Sequence, residues 1–99
     1  MERYILAPSG RDDLDAIWLY IAKDNPVAAT RVEQELIAAM RHLGQHPFSG
    51  HRREDLTDKP VRFWSVYSYI IVYDHAVSPV HILRILSGYR DVKQLLESE

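Results

Sequence analysis

Apolar side chains change their spacing along the chain, and each change marks an element. A short apolar stretch, "RYILA" (3–7), ends at Pro8 and predicts a strand. Leu14, Ile17, Trp18 and Ile21 then recur at i, i+3, i+4 and i+7, one face of a helix. "SGRDDLDAIWLYIAKD" is its predicted extent. Ser9 and Asp12 have capping-box spacing, and Asp12 and Asp13 suit the positive end of the helix dipole. Ala29, Val32, Leu36, Met40 and Leu43 repeat the period in a second helix. Asn25 is its predicted N-cap, Pro26 its first helical residue and Gly44 its C-terminal stop. So short a connection predicts an antiparallel helical hairpin.

Residues 46–60 hold two prolines, a glycine and many charges, and read as a loop. Strands are predicted at 61–66, 68–74 and 80–87, joined by connections tight enough for antiparallel pairing. "VHILRILSG" is nearly continuous in apolar residues, as a central strand covered on both faces requires. Gly88 ends it, and "DVKQLLESE" (91–99) predicts a short terminal helix. The predicted class is α+β: an N-terminal strand, a helical hairpin packed on a mostly antiparallel four-stranded sheet, and a short C-terminal helix. The chain has 99 residues and no repeat or linker, which predicts a single domain over 1–99.

Composition narrows the function classes. Net charge is −2, so no global field draws nucleic acid to the chain, and no direct nucleic-acid binding is expected. Residues 1–50 carry five Lys/Arg against seven Asp/Glu, and residues 51–99 carry seven of each. An anion-binding surface would therefore be a local cluster in the second half. The absence of cysteine removes disulfides, thiolate zinc sites and cysteine nucleophiles. No apolar run has the length of a signal peptide or a membrane span, so a cytoplasmic protein without a membrane partner is expected.

Candidate chemistry is sparse. His42 and His46 are four apart, a spacing at which helical histidines share a metal. Gly44 is predicted to break the helix between them, and no complete ligand set is visible. No metal, no cofactor and no catalytic residue is assigned. Serine-hydrolase and phosphate-loop motifs are absent. The arginines say more. Arg62 opens a strand, Arg84 interrupts the apolar final strand, and Arg90 follows Gly88 and Tyr89. Two readings stand: Arg62 and Arg84 share a sheet face and bind phosphate or carboxylate, or each pairs internally and ties sheet to loop.

Five stretches in order give a family resemblance. "YILAPSGRDDLDAIWLYIA", "NPVAATRVEQEL", "HPFSGHRREDL", "VRFWSVYSYIIVY" and "ILRILSGYRD" together resemble the RelE/ParE superfamily of bacterial type II toxins, in its ParE-like branch. The resemblance spans nearly the whole chain. It implies a toxin that inhibits DNA gyrase by binding and is neutralised by a cognate ParD-like antitoxin. The implied antitoxin surface is the helical hairpin and adjacent sheet, with Ile17, Trp18, Tyr20, Ile21, Val32, Leu36 and Arg62 as candidates. Arg84, Tyr89 and Arg90 are candidates for the target contact. The alternative is a RelE-like ribosome-dependent mRNA endoribonuclease. Such nucleases place an arginine where this chain has Ile70, and a C-terminal Tyr or His where it has "KQLLESE". These departures favour a toxin that is not an enzyme.

Overall fold

A computed structural model of the chain describes residues 4–88. The order of elements is β1 (Tyr4–Leu6), α1 (Pro8–Ala22), α2 (Pro26–Gln45), β2 (Arg62–Val66), β3 (Tyr69–Asp74) and β4 (Val80–Ser87). The strands form one sheet in the order β1-β4-β3-β2. β2, β3 and β4 are antiparallel neighbours, and β1 joins β4 in parallel. The α+β architecture matches the expectation. The predicted C-terminal helix lies outside the described residues.

Both helices start at prolines, but they are capped differently. In α2 the Asn25 side chain accepts the Ala28 N–H at 3.0 Å, as the sequence predicts. In α1 the helix begins at Pro8, so the cap falls on Ala7, which has no side-chain acceptor. The Ser9–Asp12 box is therefore absent, and the first turn contains no acidic residue. Proline fixes the register: it fits the first helical position and holds the residue before it extended.

The second correction is at Gly44. The helix α2 runs through it to Gln45 and ends at His46. Glycine inside a helix costs about 1 kcal/mol relative to alanine. Leu43, fully buried, anchors the last turn against the core and offsets that cost. Pro47 supplies the stop, because it forces His46 out of the helical region.

The sheet is buried on both faces. On one, Leu14 of α1 and Leu36, Met40 and Leu43 of α2 pack on Ile71, Tyr73, Val80, Ile82 and Ile85. On the other, Val61, Phe63, Ile70, Val72 and Leu86 form a second cluster beside Leu56 and Leu83. Gly10 lets the start of α1 lie directly on β4. A Cβ there would sit 3.1 Å from the Ile82 carbonyl oxygen and 3.0 Å from Leu6. A register shift between Val72 and Tyr73 makes Leu83 an extra residue in β4, which bends that strand under the helix.

Candidate functional site

The two arginines of the described sheet are held apart by different partners. Arg84 forms a two-pronged ion pair with Asp13 of α1, Nε to Oδ2 at 2.7 Å and Nη2 to Oδ1 at 3.1 Å. Asp13 Oδ2 also accepts the Ile85 N–H at 2.9 Å. The cause is topological. β1 pairs only with Val80, His81 and Ile82 of the eight-residue β4, so the strand outruns its neighbour. Asp13 supplies the acceptor that a longer β1 would have supplied.

Arg62 belongs to a second set of contacts. Its Nη1 donates to the Gly50 carbonyl at 2.9 Å, and its guanidinium lies 5.1 Å from the centre of the Phe48 ring. Tyr73 stands opposite it in the sheet. The Tyr73 hydroxyl accepts the Gly50 N–H at 2.8 Å and donates to the Pro47 carbonyl at 2.7 Å. Burial raises the Tyr73 pKa, with the Gly50 N–H and the Arg62 charge opposing. His51 adds a backbone bridge to Phe63 on the outer edge of β2. Arg62 and Tyr73 thus fix residues 47–51 to the sheet. Of the two readings open for the arginines, internal pairing describes both Arg62 and Arg84.

His75 lies at the margin of this set, its ring 5.3 Å from that of Phe48. Its Nδ1 is buried without a hydrogen-bond partner, as is Arg62 Nε. Burial lowers the His75 pKa, the Arg62 and Arg52 charges lower it further, and Asp74 opposes them.

The helix-face candidates divide by exposure. Leu36 is fully buried and offers no surface in this conformation. Ile17 and Val32 are half-buried against the same core. Trp18 and Ile21 are half-buried, and Trp18 Nε1 reaches the Thr30 hydroxyl at 3.4 Å, across the hairpin. Tyr20 is 72% exposed. Ala16, Ile17 and Tyr20 line an open cleft of about 370 Å³ with Tyr69 and Ser87, which pair across β3 and β4. Sequence reasoning missed Tyr69 and Ser87, whose place in the cleft depends on strand register. It also missed Leu19, exposed beside Tyr20; its signal was an apolar residue off the buried stripe. Tyr89 and Arg90 lie outside the described residues.

At the end of α2, the His42 and His46 rings are 4.9 Å apart, and His42 is 5.4 Å from Trp64 of β2. His42 Nε2 is 3.1 Å from the Ser49 hydroxyl oxygen. Among the described residues, no helix is long and apolar enough to cross a membrane.

A chain from the chromosomal ParDE TA system from P. aeruginosa is similar in fold, with a TM-score of 0.71 at 23% identity. The match covers 89% of this chain and 97% of that one. No curated protein matches at a significant level. The model of the family described as the ParE toxin of type II toxin-antitoxin system, parDE, matches residues 4–92. With nearly the whole chain matched, the protein belongs to the ParE toxin family of type II toxin–antitoxin systems.

Proposed function

We propose that the chain inhibits DNA gyrase by binding, and that a ParD-like antitoxin neutralises it by docking on α1 beside the paired ends of β3 and β4. The observation that carries the docking site is the cleft of Ala16, Ile17, Tyr20, Tyr69 and Ser87, with Tyr20 exposed at its margin. An amphipathic segment of a partner buries apolar side chains in such a groove. The similar fold from the P. aeruginosa ParDE system supports a paired antitoxin. A binding mode of action is supported by the arginines, since Arg62 and Arg84 are engaged in holding the fold together.

Purified toxin is expected to block gyrase supercoiling, and antitoxin to restore it. Unimpaired supercoiling at saturating toxin would reject gyrase as the target. New 5′ ends on translated messages after induction would replace this reading with ribosome-dependent cleavage.

A further inference from the structure

We infer that His42 and His46 form a two-point binding site for a borderline divalent metal ion, of the class of Zn²⁺, Ni²⁺ or Cu²⁺. The continuity of α2 through Gly44 is the starting point, because it places the two histidines one turn apart on one helix face. Both residues are exposed, and their ring centres are 4.9 Å apart. A metal about 2.1 Å from a nitrogen of each ring lies about 3.2 Å from each ring centre. At coordination angles between square and tetrahedral, the ring centres then fall about 4.5–5.2 Å apart. The observed spacing is inside that interval, so the helix already holds the two rings at the separation a shared ion requires, and side-chain rotation aims the nitrogens.

Two neighbours add to the pair. The Ser49 hydroxyl oxygen is hydrogen-bonded to His42 Nε2 at 3.1 Å, so an ion on that nitrogen displaces a single exposed hydroxyl. A cleft of about 410 Å³ lined by Gln45, His46, Pro47, Phe48 and Ser49 leaves room for water on the ion. No third histidine or carboxylate joins the pair among the described residues. The remaining positions of the ion therefore face solvent. Imidazole nitrogen selects the borderline transition ions over Mg²⁺ and Ca²⁺, which take oxygen ligands.

Trp64 provides the readout, since its ring is 5.4 Å from that of His42. In a Trp18→Phe chain, Cu²⁺ is expected to quench the remaining tryptophan emission saturably, at one ion per chain. Zn²⁺, which does not quench and binds such sites more weakly, is expected to restore the emission only in large excess over Cu²⁺. His46→Ala removes an exposed ligand without touching the core, and should abolish the saturable phase. His81→Ala, on β4, should leave it intact. Ni²⁺ should raise the Tm of the parent chain and leave that of His46→Ala unmoved. Quenching that is non-saturable, or equal in the parent and His46→Ala chains, would overturn the site.

Discussion

Tyr73 and Gly50 set the tolerance of the fold at the scale of single residues. Tyr73 is fully buried in the helix-side core, yet its hydroxyl is satisfied twice, by Gly50 N–H and Pro47 C=O. Tyr73→Phe keeps the ring and strands both backbone groups, which should cost about 1–3 kcal/mol in denaturant unfolding. Gly50→Ala should cost at least as much. A Cβ at residue 50 would lie 2.5 Å from the Tyr73 hydroxyl oxygen and 2.9 Å from the Phe63 carbonyl oxygen, and the latter, being backbone, cannot give way cheaply. Asp13→Ala removes the acceptor of both Arg84 and the Ile85 N–H. Breaking a fully buried pair costs about 3–5 kcal/mol, and water reaching this one, with each side chain 17% exposed, reduces the loss to about 2–3. In a double-mutant cycle with Arg84→Ala, the two losses should fall well short of additive.

His75 makes stability depend on pH. Its folded-state pKa is lowered by burial and by the Arg62 and Arg52 charges. The unfolded chain takes up this proton near pH 6.5, and the folded chain takes it up only at lower pH. Protons therefore favour the unfolded state in that window. The His75 contribution is complete above about pH 6.5 and is lost as pH falls through the folded value. Thermal melts from pH 7.5 to 5.5 should show a declining Tm whose slope is shallower in His75→Gln. Equal slopes would remove His75 from the account.

Among the elements, sequence legibility followed the range of the interaction that decides each feature. The buried stripes of α1 and α2, the Asn25 cap and the three C-terminal strands were legible, because apolar period and local turn chemistry fix them. Asn25→Ala should cost about 1 kcal/mol, the usual value of an N-cap. The start of α1 and the end of α2 depart from the apolar pattern because prolines overrule the neighbouring serine and glycine. Pro8 moved the α1 cap to Ala7, and Pro47 carried the α2 stop past Gly44. The roles of Arg62 and Arg84 were open in the sequence because their partners, Gly50 and Asp13, lie 12 and 71 residues away. Periodicity carries no information over such distances. Tyr69 and Ser87 were missed for the same reason: they reach the cleft by strand pairing, which the apolar pattern of either strand alone does not reveal.

For the whole molecule, the sheet is buried twice, and this separates residues that hold the fold from residues that can meet a partner. Leu36 and Tyr20 both lie on the helical hairpin, but Leu36 is fully buried and Tyr20 is 72% exposed. Substitution of each should therefore act through a different equilibrium. Leu36→Ala opens a cavity and should cost about 2–5 kcal/mol of folding stability. It would weaken antitoxin capture only by depleting the folded state. Tyr20→Glu places a charge at the rim of the Ile17–Tyr69 cleft, where the isolated toxin keeps it in water. Its Tm should change by no more than the small shift typical of a surface substitution. If the antitoxin seats on that rim, complex formation must desolvate the carboxylate, so affinity should fall by tenfold or more, the equivalent of about 1.4 kcal/mol. Antitoxin binding also raises the toxin's Tm by mass action, and that gain should shrink in Tyr20→Glu to match the lost affinity. Calorimetric titration and melts with and without antitoxin measure both quantities. A Tyr20→Glu chain that binds antitoxin as tightly as the parent would move the interface away from this cleft, leaving the core assignment of Leu36 untouched.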